Sequence, residues 1–148
     1  MWIEEIRLVR ERDPKPADAQ VLEEEIARFN IAATGRPDWA PVAIFLRDRA
    51  GKIRGGLNGD IWAGWLHVRF LWLEADLRRH GFGSRLLREA ETIAREHGCR
   101  AVHLETFSFQ APDFYRKHGY EMFGRLDDYP EGHAHYYFRK TLDGGTKR

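Results

Sequence analysis

The architecture is set by residues 70–91, "FLWLEADLRRHGFGSRLLREAE", which lead from an apolar segment through a glycine turn into a helical run. Gly81 and Gly83 stand one residue apart just before that run, and Arg78 and Arg79 precede them. The first backbone amides of a helix lack partners within it and carry a partial positive charge, and glycines let a ligand approach closely. The turn therefore predicts a binding site for a phosphate or pyrophosphate.

Two common phosphate-binding patterns fit this turn incompletely. A P-loop needs a lysine followed by serine or threonine after its second glycine, whereas this chain has Ser84 and Arg85 there, which disfavours nucleotide triphosphate hydrolysis. A dinucleotide-binding turn needs a third small residue three positions after the second glycine, and Leu86 occupies that position. Glu105 nevertheless follows at roughly the 20-residue distance typical of that pattern, so a dinucleotide-dependent enzyme stays open as an alternative.

The rest of the chain predicts a mixed sheet in one domain. Apolar periodicity and Gly/Pro turns predict the order β, α, β, β, β, α, β, α, β, β. The predicted ranges are, in order, 3–11, 17–33, 42–48, 51–64, 65–75, a helix that ends at Gly98, then 100–109, 111–119, 120–129 and 133–144. The helix between 65–75 and 100–109 makes a βαβ connection, which predicts parallel pairing. We therefore predict an α+β (mixed α/β) fold, with residues 1–148 as a single domain and 143–148 as its flexible tail.

Composition and charge exclude several classes of partner. The formal net charge of +1 gives no basic field, so we expect no nucleic-acid partner. No apolar run approaches the roughly 20 residues of a membrane helix, and the N-terminus has no signal-like segment, so we expect no membrane partner and a cytoplasmic location. Cys99 is the single cysteine, which excludes an internal disulfide and predicts a small buried side chain. The histidines show no metal-ligand spacing, so we expect no metal.

A third pattern fits the turn better than the other two. Residues 78–83, "RRHGFG", resemble the (Gln/Arg)-x-x-Gly-x-(Gly/Ala) motif of the GNAT superfamily of N-acetyltransferases. Residues 111–121, "APDFYRKHGYE", are similar to a second segment of that family, and the order of elements over residues 3–142 also matches it. The resemblance implies a GNAT-like central sheet, mostly antiparallel, with one parallel pair of strands that splay apart, flanked by helices.

The resemblance also implies roles for individual residues toward acetyl-CoA. It assigns the pyrophosphate to the turn and the first helical residues, and the pantetheine arm to main-chain groups on the preceding strand. The pyrophosphate residues are Arg78, Arg79, Gly81, Phe82, Gly83 and Ser84, and the pantetheine residues are Leu71 and Leu73. Many members have an asparagine after the fifth strand of the family fold, where this chain has "SFQA", so Ser108 or Gln110 is expected to replace its contacts.

Two further residues are candidates for proton transfer. An amine is largely protonated near neutral pH and must lose a proton before it attacks a thioester, and the departing thiolate can be protonated afterwards. Tyr115 matches the position of the family's frequent tyrosine acid. Glu105 is a candidate base, which alternation places on the opposite face of its strand from Leu104 and Thr106, toward either solvent or the cleft.

The predicted activity is transfer of the acetyl group of acetyl-CoA to a primary amine of a small molecule, by direct attack in a ternary complex. Protein or peptide acetylation and a non-catalytic acyl-CoA-binding module remain alternatives. The family resemblance also implies a possible homodimer. Aromatic and acidic groups near the expected cleft suit a cationic amine. The aromatic residues can equally be core residues, and the loop over residues 127–133 can be a solvated turn. These groups are Trp62, Trp65, Trp72, Phe107, Phe109, Asn30, Trp39, Asp127, Asp128, Tyr129, Glu131, His133 and His135.

Overall fold

The computed structural model describes residues 5–142 and divides the chain into two units, Met1–Pro37 and Asp38–Arg148. The first unit contains helix α1, Pro16–Thr34, which confirms the helix predicted over 17–33. Its first turn begins at a proline, which suits a position where no backbone N–H is needed. Gly35 ends it in a left-handed conformation, with its N–H donated to the carbonyl of Ile31. None of the residues of α1 is buried.

The predicted first strand over residues 3–11 does not form in its described part. Residues 5–15 adopt neither strand nor helix, and the side chains of Ile6 and Leu8 are 80% and 97% exposed. Apolar alternation gives side chains the spacing of a strand, but a strand also needs a neighbour that pairs with its backbone. Among residues 5–142 no strand provides that neighbour for this segment, so the prediction was wrong there.

The second unit is built on a six-stranded mixed sheet in the order β1-β2-β3-β4-β6-β5. All the strands and helices predicted between residues 42 and 142 are present, and the fold class is confirmed. The predicted tail, residues 143–148, and the last two residues of the final predicted strand lie outside the described residues. The elements are β1 Ala40–Arg47, β2 Ile53–Trp62, β3 Trp65–Leu73, α2 Phe82–Glu96, β4 Ala101–Phe107, α3 Pro112–Lys117, β5 Glu121–Asp127 and β6 Ala134–Thr141.

Strands β3 and β4 pair in parallel over only part of their length. Their register runs from Trp65↔Ala101 to Val68↔Leu104, but β3 continues to residue 73 and β4 to residue 107. On its other side β3 stays paired with β2 as far as residue 73, with Arg69 as the extra residue of a bulge. The two strands therefore diverge beyond Val68, and the edge of β3 that faces β4 has no strand partner over residues 69–73.

Helix α2 packs its apolar stripe on the sheet. Leu86, Leu87, Ala90 and Ala94 are buried together with strand residues such as Val102. At about 25 cal/mol for each Å² of apolar surface removed from water, each leucine contributes roughly 1.5–3 kcal/mol and each alanine methyl group about 0.8 kcal/mol. His97 lies just past the end of the helix and is exposed.

Two smaller predictions concern Cys99 and the membrane. Cys99 is buried, as predicted, and burial raises the pKa of its thiol. No helix within residues 5–142 combines the length and the apolar character needed to cross a bilayer.

Candidate active site

A cavity of about 570 Å³ occupies the opening between β3 and β4. Six of the ten residues that the sequence proposed for the site line it: Leu71, Leu73, Arg78, Gly83, Glu105 and Tyr115. The other four lie on the adjoining turn and first turn of α2: Arg79, Gly81, Phe82 and Ser84. The remaining lining residues are Val68, Arg69, Phe70, Trp72, Leu104, Thr106, Phe109, Gln110, Ala111 and Phe114.

The glycine turn presents free backbone amides at the start of α2. Gly81 is the residue before the helix and has φ +84°, a conformation that glycine adopts readily. No side chain caps this helix end, and its first turn contains no acidic residue. The N–H groups of the first helical residues therefore keep their capacity for an anion. A Cβ on Gly81 would meet no atom within 4 Å, so the space above the turn is open.

Gly83 serves a different purpose from Gly81. A Cβ on Gly83 would lie 3.3 Å from the Cζ atom of Phe114, on α3. This contact is tighter than ordinary van der Waals separation, so the missing side chain lets α2 and α3 approach each other across the cavity wall.

The side chains of Arg78 and Ser84 form hydrogen bonds with other parts of the protein. The Nε–H of Arg78 donates to the carbonyl of Leu73 at 3.1 Å, which ties the turn to the end of β3. The Oγ of Ser84 and the Nε2 of His118 lie 2.8 Å apart, so this hydroxyl bonds to α3's C-terminal end instead of capping α2. Burial is the main cause that lowers the pKa of His118 below its usual value, which favours a neutral imidazole there.

Glu105 contacts a histidine on the neighbouring strand. Its Oε2 lies 2.7 Å from Nε2 of His67, and both side chains are only partly exposed. The ring of His67 stacks on that of His103, with centroids 4.2 Å apart and planes 10° from parallel. Burial, followed by the nearby His67, lowers the pKa of His103, so that ring is neutral near pH 7.

His67, His103 and Glu105 also bring three ligand-type atoms within 4.8 Å of one another. A metal ion needs ligand lone pairs that converge on one point at about 2.0–2.2 Å from each atom. Two stacked, nearly parallel rings direct their lone pairs along parallel planes, and the Glu105 oxygen already shares a hydrogen bond with His67. In the observed arrangement the three side chains are hydrogen-bonded and stacked, and their lone pairs do not converge on one point as metal ligands would.

Tyr115 lines the cavity from α3 and is only 8% exposed. Burial raises its pKa to about 12, because the phenolate would lose the solvation that water gives it. The hydroxyl consequently keeps its proton throughout the physiological pH range. It can donate a hydrogen bond to a group in the cavity.

The segment after β4 uses its polar side chains for its own structure. Gln110 accepts the backbone N–H of Phe107 through Oε1 at 2.8 Å, and Ser108 accepts the N–H of Ala134 through Oγ at 2.9 Å. These bonds fix the loop, and Gln110 also lines the cavity.

Several of the predicted aromatic residues meet near the end of β4. Phe107 stacks against Phe109 at 5.2 Å and against His135 at 4.4 Å, and the rings of Phe107 and Tyr129 make a T-shaped contact. Of the seven tryptophan, phenylalanine and tyrosine residues singled out from the sequence, Trp72 and Phe109 line the cavity.

Sequence reasoning missed His67. The residue lies in "WLHVRF" between a tryptophan and an arginine, and nothing in that spacing distinguishes it from an ordinary strand histidine. Its importance follows from the parallel register of β3 and β4, which pairs it with His103 and brings it to Glu105, 38 residues away. The predicted parallel pairing was the one signal from which this contact could have been found.

Comparisons with known proteins agree with this architecture. The sequence model of the acetyltransferase (GNAT) family matches residues 5–120. A blasticidin-S acetyltransferase of Streptomyces morookaense is 44% identical over 93 residues, which are 62% of this chain and 68% of that protein. An acetyltransferase from Bacillus cereus has a solved structure with a TM-score of 0.77 and 35% identity, covering 90% of this chain and 98% of its own. The solved structure of an acetyltransferase from Agrobacterium tumefaciens has a TM-score of 0.87 and 25% sequence identity, and the match covers 93% of this chain and 100% of that one.

A mixed sheet with one divergent parallel pair, a glycine turn before the crossover helix and these relatives define an acetyl-CoA-dependent acetyltransferase. The chain belongs to the acetyltransferase (GNAT) family.

Proposed function

We propose that this enzyme acetylates a primary amine of a small molecule, with residues 1–148 acting as one acetyltransferase domain. The observation that carries the proposal is the cavity between β3 and β4, which is lined by both a carboxylate, Glu105, and a protonated phenol, Tyr115. The 44% identical relative is named for a small molecule, blasticidin S, which supports the choice of substrate class.

Acetyl-CoA would bind along the unpaired edge of β3 and the start of α2. The main chain of Leu71 and Leu73 offers strand-like hydrogen bonds to the pantetheine arm, because β4 does not pair with this part of β3. The amides of Phe82, Gly83 and Ser84 are those that an uncapped helix leaves for the pyrophosphate, with Arg78, Arg79 and Gly81 on the turn beside them. When it is bound, the thioester supplies the acetyl group for transfer.

Glu105 is proposed as the base. An ammonium acceptor must give up a proton to present a lone pair, and a carboxylate in the cavity wall can accept that proton directly or through a water molecule. The carboxylate also attracts a cationic acceptor, and aromatic side chains at Phe70, Trp72 and Phe109 provide ring faces in the same cavity. The C–N bond then forms as the C–S bond to coenzyme A breaks, and the second proton that the nitrogen must lose passes to the departing thiolate, directly or through water.

Tyr115 is proposed to stabilise the departing sulfur. A pKa of about 12 lies well above the value of about 8.5 for an ordinary cysteine thiol, so complete proton transfer from Tyr115 to a thiolate would be uphill. Donating a hydrogen bond to the sulfur as charge develops carries no such cost. Because the hydroxyl remains protonated, it is available for this role over the whole working pH range.

Substitution of Tyr115 tests this role. We expect Tyr115→Phe to lower kcat by roughly 100-fold, as loss of one catalytic donor does. Because Tyr115 does not ionise below about pH 12, the pH dependence of kcat between about pH 7 and 10 keeps its shape in the variant. Steady-state thiol release measured across that range gives both results.

Tyr120→Phe is the matched control, since it removes a buried hydroxyl that donates to Glu91, and Tyr120 does not line the cavity. We expect this control to retain the parental kcat. Parental turnover in Tyr115→Phe would remove Tyr115 from the mechanism.

Two measurements test the proposed function as a whole. Thermal unfolding with acetyl-CoA and, separately, NAD compares the two coenzymes, since a ligand that binds the folded state raises Tm. Thiol release is then screened over blasticidin S, polyamines, aminoglycosides, amino acids and short peptides. We expect stabilisation by acetyl-CoA and turnover with small amines. Turnover with peptides alone would replace the small-molecule proposal, and stabilisation without turnover would favour a binding module.

A further inference from the structure

His67 lies directly behind Glu105 at the point where the two central strands separate. It pairs with His103 in the parallel register, and Glu105 is the next residue of β4 on the same face as His103. Pairing stops one residue further along, at Val68↔Leu104. The 2.7 Å contact between Nε2 of His67 and Oε2 of Glu105 thus spans the start of the opening that forms the cavity.

We infer that His67 is a positioning residue, whose Nε2–H holds the Glu105 carboxylate in the orientation from which it accepts a proton. The inference rests on the proposed function, in which Glu105 is the base. An ionised carboxylate only accepts hydrogen bonds, so Nε2 of His67 must carry the hydrogen of this contact. A glutamate otherwise has three side-chain torsions, and a bond to one oxygen limits where the other oxygen can point.

The surroundings of His67 keep the ring itself in place. One ring face stacks on His103, and His103 packs against the ring of Trp65 at 5.7 Å and 73°. Asp60 lies opposite His67 in the β2–β3 register, and its Oδ1 is 2.5 Å from Nε of Arg69, so these two charges largely offset each other. The ring therefore presents its Nε2–H to Glu105 from a fixed direction.

Burial makes this hydrogen bond stronger than a typical surface contact. The side chains of His67 and Glu105 are 19% and 31% exposed, so water competes for the bond only in part. Hydrogen bonds to charged groups contribute more than neutral ones, and a misplaced base costs rate even when substrate binding is intact. Loss of the donor should therefore reduce kcat and leave coenzyme binding unchanged.

Three substitutions separate positioning from packing. His67→Phe keeps a ring to stack on His103 but has no N–H, and we expect kcat to fall roughly 10- to 100-fold, with an unchanged KM for acetyl-CoA. His67→Gln places an amide N–H₂ near the former Nε2, so we expect most of the rate to return. His103→Phe keeps the stack without altering the donor, and we expect parental kcat. If the Phe variant does not fold, His67→Asn, whose amide is too short to reach Glu105, replaces it.

The same measurements in a Glu105→Gln background complete the test. If His67 acts through Glu105, substitution of His67 has little further effect there. Parental kcat in His67→Phe, or equal losses in well-folded His67→Phe and His67→Gln, would overturn the inference. An active Glu105→Gln variant would instead reject Glu105 as the base. An impaired Glu105→Gln with a fully active His67→Phe leaves the proposed function standing and rejects only the role of His67.

Discussion

Glu105→Gln is expected to lower kcat by about 10²- to 10⁴-fold near pH 7, which is the contribution of a well-placed general base. The variant removes the proton acceptor and changes little else. Glutamine has the same shape as glutamate, and its amide oxygen can still accept the Nε2–H of His67. Thermal stabilisation by acetyl-CoA should therefore equal that of the parent, so that the loss appears in turnover alone.

The defect of Glu105→Gln should shrink as the pH rises. An alkyl amine with an ordinary pKa near 10 is mostly protonated at pH 7, and its neutral fraction grows about tenfold with each pH unit below that pKa. A variant without the base depends on this neutral fraction, so its rate climbs with pH more steeply than the parental rate. A pH series of single-turnover thiol release, with saturating acetyl-CoA, gives the two slopes.

Glu121→Gln is the matched control for this substitution. Glu121 is also a strand carboxylate, but it pairs with Arg139 on an exposed part of β5 and does not line the cavity. We expect it to retain parental kcat, since an exposed ion pair contributes at most about 1 kcal/mol to stability. A Glu105→Gln enzyme with parental turnover near pH 7 would show that the proton leaves by another route.

Gly81→Asp is expected to weaken acetyl-CoA binding at least 100-fold more than Gly81→Asn does. Both side chains are tolerated at positive φ better than most, and they have nearly the same shape, so the two variants share any backbone strain at φ +84°. They differ in one negative charge beside the first amides of α2. Two like charges about 4 Å apart repel by roughly 4 kcal/mol at an effective dielectric constant of 20.

The comparison is made by isothermal titration of acetyl-CoA into each variant at two salt concentrations. The part of the loss that comes from charge should decrease at higher salt, because mobile ions screen a partly exposed site. Melting temperatures without ligand show whether both variants fold equally well. Equal affinities for Gly81→Asp and Gly81→Asn would mean that the pyrophosphate does not bind at this turn.

Much of the second unit could be predicted from the chain alone. Each strand and helix between residues 42 and 142 follows from the apolar period and from turns at glycine or proline, which act within a few residues. Parallel pairing of β3 and β4 followed from the helical crossover between them, because parallel strands need a connection of that kind. The failure at residues 5–11, the described part of the predicted first strand, has the same origin, because alternation was present there but a pairing partner is not a local property.

The candidate site likewise has one part that could be predicted from the sequence and one part that could not. The glycine turn could be recognised in sequence because its chemistry belongs to consecutive residues: a conformation at Gly81 that suits glycine, and amides that the start of α2 leaves unpaired. The contact between His67 and Glu105 joins residues 38 positions apart, and it depends on the β3–β4 register, which pairs His67 with His103. The anion-binding properties of the turn depend on neighbouring residues and can be recognised in the sequence. The distance between residues far apart in the chain is decided only when strands pair, bulge and separate.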